Sequence, residues 1–137
     1  MSKFTTSFRV RSYELDGLGH LNHAVFLNYF EQARFDALEA GGYAPALLSE
    51  RGWGVHVVRI EVDYRRECRL GDQLTAHTAV ERFRNSSMII RQRLDSTDGE
   101  PVAEARVVAV WVGSDGSPMR IPEAVRTALA PKDSDAP

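Results

Sequence analysis

Apolar and polar side chains alternate from the start of the chain. Phe4, Thr6, Phe8 and Val10 fall on one side, and Thr5, Ser7, Arg9 and Arg11 on the other. A period of two is that of a strand with two unlike faces. The alternation ends before residues 14–23, ELDGLGHLNH, where two glycines and the lack of any period predict a loop. From about residue 24 to residue 40 the spacing turns helical. Phe26, Phe30, Ala33 and Ala37 share a stripe that Leu27 and Leu38 widen. Asn22 is placed to cap the start of this helix and Gly41-Gly42 to end it. The run AVFLNYF is apolar almost all round, which predicts a deeply buried helix rather than one docked by a single face. Residues 43–52 read as a connection with one helical turn at 45–49.

The rest of the chain reads as strands. Val58, Ile60, Val62 and Tyr64 alternate with Arg59, Glu61 and Asp63, and Leu70-Gly71-Asp72 makes a turn. Residues 73–84 and 87–95 form two further strands, separated at Asn85-Ser86. Thr97-Asp98-Gly99 signals a hairpin turn, and residues 102–112, apolar on both faces in their second half, predict a central strand. Asp115-Gly116 turns again, and residues 121–129 read as a short helix with Pro122 near its first turn. Strands joined by short turns are expected to pair antiparallel with their neighbours. No helices alternate with the strands, which argues against a doubly wound α/β fold. An α+β class, with one long apolar helix against one antiparallel sheet, is the simplest arrangement.

The 137 residues suit one domain over 1–130, with a polar tail at 131–137 expected to be disordered. At 43% apolar residues the chain can bury a core without disulfides or metal. Roughly a third of the surface stays exposed at this size, so oligomerisation is expected. The net charge of −2, from 17 basic and 19 acidic residues, asks for neither nucleic acid nor an anionic membrane. The arginines do cluster: Arg59, Arg65, Arg66 and Arg69, then Arg82, Arg84, Arg91 and Arg93. They are either solvated strand faces or contacts for the phosphates of a nucleotide-bearing substrate. The single cysteine, Cys68, cannot form an internal disulfide and reads as a buried or partly buried spectator in a reducing compartment. No secretory signal begins the sequence, and no run reaches the roughly 18 apolar residues of a membrane span. A cytoplasmic location is expected.

The densest chemistry lies at residues 13–34, YELDGLGHLNHAVFLNYFEQAR. Glu14, Asp16, His20, Asn22 and His23 crowd into the loop before the helix. Gly17 and Gly19 let the backbone bend and approach a ligand. A helix start offers unpaired N–H groups and a positive dipole end, which can polarise a carbonyl oxygen. A carboxylate beside it can attack the carbonyl carbon or activate a water. Taken alone, Asp16 reads first as a turn residue, Asn22 as a cap, and the histidines as ordinary loop residues. His20 and His23 make poor zinc ligands, with neither a nearby Cys nor an HExxH pattern. Glu31 is either an exposed helix residue or a buried, paired carboxylate. No GxSxG, P-loop or dinucleotide fingerprint is present.

The segment from Asp16 to His23, followed by Phe26-Leu-Asn-Tyr-Phe30-Glu31-Gln-Ala-Arg34, resembles the signature of the 4-hydroxybenzoyl-CoA thioesterase-like acyl-CoA thioesterases. These include the small thioesterases associated with the Tol–Pal system. The likeness continues through Val57-Val58-Arg59 to Tyr64-Arg65-Arg66, Leu70-Gly71-Asp72, Ser87 to Arg93 and Arg120-Ile121-Pro122-Glu123. His20 with Asn22 departs toward the GH-x-N version found in broader acyl-CoA and acyl-carrier-protein thioesterases of the fold.

The resemblance implies a hotdog fold: a five-stranded antiparallel sheet wrapped around one long central helix. It implies acyl-CoA thioester hydrolysis, with Asp16 as nucleophile or general base. The helix N-terminus at Asn22 and His23 would polarise the carbonyl through the His23 amide. Gly19, Phe26, Tyr29, Val57 and Val58 would line the substrate pocket, the valines coming from a partner subunit. Arg65, Arg66, Arg84 or Arg91 would meet the CoA phosphates. No metal and no cofactor beyond the substrate's own coenzyme A is expected. Dimers with shared sites, assembled into tetramers, are the expected oligomers. The rivals are a non-catalytic acyl-CoA or acyl-carrier binding protein, a hydratase of the same fold, and an interaction module in which Asp16 merely makes a turn.

Overall fold

A computed structural model describes residues 4–131 of the chain. The expected disordered tail lies outside the described residues apart from Pro131. Strand β1 (Phe4–Arg9) leads through a single 3-10 turn at Ser12–Glu14 and a loop into helix α1 (His23–Ala40). A short helix α2 (Pro45–Glu50) follows, then β2 (Gly54–Tyr64), β3 (Gln73–Phe83), β4 (Ser87–Ser96), β5 (Pro101–Val112) and helix α3 (Glu123–Leu129). The five strands form one antiparallel sheet in the order β1-β3-β4-β5-β2.

Alternation sets the two faces of the sheet. Leu74, Ala76, Thr78 and Val80 of β3, Met88, Ile90, Gln92 and Leu94 of β4, and Ala103, Ala105, Val107, Ala109 and Trp111 of β5 are all buried on the helix side. Helix α1 lays Phe26, Tyr29, Phe30, Ala33, Ala37 and Leu38 onto this surface. Burying one such aromatic or aliphatic side chain contributes about 1.5–3 kcal/mol. The opposite sheet face carries a lattice of charge: Glu81 reaches Arg91 at 3.6 Å and Arg106 at 3.4 Å, and Arg93 and His77 both meet the buried Asp95.

The helix ends as its residues predict. Asn22 caps the start, its Oδ1 accepting from the Ala24 N–H at 2.9 Å. At the far end Gly42 takes a φ of +92°, and the Tyr43 and Gly42 N–H groups donate to the Leu38 and Glu39 carbonyls, a Schellman closure. Deep burial of the whole helix is not found. Leu27 and Phe35 stay 37% and 43% exposed, because the sheet covers only one side of α1.

Two expectations about the strands also change. Sequence neighbours β2 and β3 do not pair. Residues 65–72 instead carry the chain across the sheet, so β2 lies at one edge beside β5 and β3 lies beside β1. The alternation of β2 is broken by a bulge: the register on β5 shifts between Val57 and Arg59. Val58 is the extra residue and is 61% exposed, whereas Ile60 and Val62 beyond it face inward. No helix among the described residues is long and apolar enough to cross a membrane.

Candidate active site

The loop between β1 and α1 is closed by its own polar groups. Glu14 is buried, and its Oε1 accepts the Arg11 N–H at 2.8 Å and the Tyr29 hydroxyl at 2.6 Å. Its carbonyl accepts the Asn22 N–H at 2.9 Å, so both ends of the loop are tied to one residue. Leu15 and Leu21 bridge as a minimal antiparallel pair. Inside that bridge Asp16 turns the chain. Its N–H donates to the His20 carbonyl at 2.7 Å, and its own carbonyl accepts from Gly19 at 3.1 Å. Gly19 sits at φ +79°, which only glycine adopts without strain.

The Asp16 carboxylate uses one oxygen in this turn. Oδ1 accepts the Leu18 N–H at 2.8 Å and the His20 N–H at 3.1 Å. Oδ2 has no partner among the described residues. The His20 and Leu18 N–H groups hold the carboxyl below the ordinary carboxylate range, aided weakly by the charges of His20 and His23 and opposed by desolvation. The segment that crosses from β2 to β3 braces the loop from outside. The Cys68 carbonyl accepts the Leu21 N–H at 2.8 Å, His20 bridges to Arg69, and His20 Nε2 lies 2.9 Å from a Glu67 carboxylate oxygen. Cys68 is buried, as expected, and burial pushes its thiol up to about 11.

Seven residues after Asp16 the helix begins. Asn22 satisfies Ala24 through its side chain and Val25 through its carbonyl, at 2.9 Å each. That leaves the His23 N–H, at the first helical position, with no acceptor among the described residues. The His23 side chain is exposed. An N–H without an acceptor among the described residues, at the positive end of an 18-residue helix and seven residues after a carboxylate with one unengaged oxygen, offers the two kinds of group that acyl transfer uses.

The predicted pocket residues fall in different places. Gly19 belongs to the Asp16 turn. Phe26 is buried beneath the first turn of α1, and Tyr29 is buried with its hydroxyl on Glu14 and its ring stacked on Phe8 at 4.5 Å. Val57 lines a cavity of about 260 Å³ together with Phe35, Val55, Ile90 and the polar Glu31 and Arg34. Val58 is on the bulge, outside it. Glu31 is exposed, which resolves its open reading. Of the four arginines proposed for phosphate, Arg65 is 2.9 Å from Glu104, Arg66 is bonded to Ser96 at 2.8 Å, and Arg91 is near Glu81. The Arg84 guanidinium has no partner among the described residues. No group of three or more His, Cys, Asp or Glu among them is placed to hold a metal ion.

Residues 10–129 match the family described as the thioesterase-like superfamily. The chain belongs to that superfamily. Its relatives in the superfamily include the long-chain acyl-CoA thioesterase FadM of Escherichia coli, 32% identical over 108 residues, covering 78% of this chain and 81% of the relative. The acyl-CoA thioesterase YbgC of Haemophilus influenzae is 30% identical over 127 residues, covering 90% and 93%. Among solved structures, a thioesterase of Thermus thermophilus complexed with coenzyme A and zinc superposes with a TM-score of 0.81 at 34% identity, covering 93% of this chain and 92% of that one. Membership bears out the hotdog fold and the enzyme class, a thioester hydrolase.

Two residues that shape the site, Glu14 and Tyr64, carry no individual role in the sequence pattern. Glu14 stood in the polar cluster, but its partner Tyr29 lies 15 residues on and was read as pocket lining. Tyr64 is the last apolar position of the β2 alternation and part of the Tyr64-Arg65-Arg66 likeness, and neither points to its hydroxyl's partner, the His23 carbonyl.

Proposed function

We propose that the chain hydrolyses acyl-CoA thioesters to the free acid and coenzyme A, with Asp16 and the His23 amide as one catalytic unit. The observation that supports this reading is that one loop carries a carboxylate whose Oδ2 has no partner among the described residues and ends in a helix-start N–H that has none among them either. The thioester oxygen sits against the His23 N–H, which donates a hydrogen bond to the negative charge that develops on it. Asp16 then acts in one of two ways. As nucleophile, Oδ2 forms a bond to the carbonyl carbon, the C–S bond breaks, and water hydrolyses the resulting anhydride. As general base, it takes a proton from a water that attacks the same carbon, and the thiolate leaves and is protonated. The names of FadM and YbgC support an acyl-CoA substrate. The enzyme works in the cytoplasm and needs no resident cofactor.

The assembly proposed is a dimer that joins two sheets along β2, with tetramers built from it. Support comes from β2 itself: an edge strand of 11 residues with one unpaired side and with Val57 and Val58 exposed. The partner's valines would close the acyl pocket beside Phe26 and Tyr29. Arg84 is the phosphate contact favoured among the four arginines, because no carboxylate engages it.

The test is free-thiol release across a panel of acyl-CoAs of differing chain length and aromatic character. Asp16→Asn should lower kcat on the best substrate by about a hundredfold or more, while still binding coenzyme A esters. Near-normal turnover in that variant would remove Asp16 from the mechanism, and tight binding without thiol release by the unmodified protein would favour a binding role.

A further inference from the structure

Tyr64 closes β2 and is 48% exposed. Its hydroxyl donates to the carbonyl oxygen of His23 at 2.7 Å. Its ring meets Phe26, one turn further along α1, at a centroid distance of 5.2 Å with the planes 84° apart. The sheet therefore grips the first turn of the helix at its backbone and at its side chains. The remaining hydrogen bonds at the helix start are local: Asn22 to Ala24, Asn22 to Val25, and Asn22 to Glu14. Among the described residues, the Tyr64 hydroxyl makes the one hydrogen bond that ties this turn to a strand.

An oxyanion donor lowers a barrier only if it already points where the charge will form. A displacement of about 1 Å can cost a hundredfold in rate. First turns are the part of a helix least held by its own bonds, because their N–H groups lack partners. We propose that Tyr64 is a positioning residue for thioester hydrolysis, its hydroxyl locking the first turn of α1 so that the His23 N–H faces the substrate carbonyl. This rests on the reading above that the His23 N–H polarises that carbonyl. Tyr64 touches no reacting atom in this scheme. It acts through the first turn it holds: the carbonyl it binds belongs to the same residue as the N–H, on the next peptide along.

The experiment is Tyr64→Phe in the full chain, which removes the hydroxyl and keeps the ring on Phe26. With the best acyl-CoA of the panel, kcat should fall about tenfold, while KM and the thermal midpoint stay at the parental values. Unchanged kcat overturns the proposal. A raised KM with kcat intact also overturns it, by making Tyr64 a substrate contact. A kcat loss that follows a drop in midpoint overturns it in favour of a purely structural role. A second readout needs no turnover. Amide order parameters at residues 23–25 should fall in the variant from the rigid level of about 0.85, and unchanged values overturn the proposal. If the parental protein releases no thiol from any acyl-CoA, the hydrolytic reading fails, and the order parameters still report separately whether Tyr64 holds the turn.

Discussion

Asp16 closes its loop with one carboxylate oxygen and leaves the other without a partner among the described residues. The turn reading and the catalytic reading, which compete in the sequence, are thus compatible in one side chain. The aspartate, the glycines and the cap were legible because each is a local choice of residue for a local backbone need. The partner of Glu14 was not legible: bringing Tyr29 to it requires the path of the loop and the phase of the helix together. The lowered pKa of Asp16 has a signed consequence. Its cause is hydrogen bonding of the charged form by the His20 and Leu18 N–H groups, so the carboxylate persists to lower pH than in an unfolded chain. Whatever stability Asp16 contributes is complete above its unfolded pKa and is lost as pH falls through the lower folded one. If Asp16 is nucleophile or base, the acid limb of kcat/KM therefore lies below about pH 3.9. Rates measured from pH 4.5 upward should show no acid limb, and a limb near about pH 6.5 would transfer the essential ionisation to a histidine.

Helix α1 was readable in extent but not in setting. Its apolar stripe, cap and glycine stop are sequence properties. Which side the sheet would leave open, exposing Leu27 and Phe35, depends on curvature that no period encodes. A polar network adds to the apolar packing between the helix and strands β3 and β4. The Gln92 amide nitrogen donates to the Phe30 carbonyl at 2.9 Å and to Thr78 at 3.1 Å, and its oxygen accepts from Arg34 at 3.0 Å. Burial holds the Arg34 guanidinium below its ordinary pKa, so this neutral acceptor matters to it. Gln92→Leu keeps the volume close and strands Arg34 and Thr78. It should destabilise the fold by about 1–3 kcal/mol. The expected record is a lower denaturant midpoint with an unchanged slope, and an unchanged midpoint would mean that the network adds nothing net.

At the scale of the molecule, sequence order misled where topology intervened. Adjacent strands with a short link should pair, yet residues 65–72 cross the sheet and brace the Asp16 loop on the way, through Cys68 and Glu67. That crossing releases β2 to the edge, and the bulge at Val58 turns an apolar side chain outward there. An edge of 11 residues with exposed valines is a pairing surface unless charge guards it. Val58→Lys supplies such a guard at a site with little to lose inside the subunit, since Val58 is 61% exposed. If two sheets join along β2 and share their sites, this variant sediments as a folded monomer with a circular-dichroism spectrum like that of the parent. Its thiol release falls with the dimer fraction and recovers as protein concentration rises. A monomer that keeps full turnover would place a complete site within one chain, and a variant that stays dimeric and active would move the interface away from this edge.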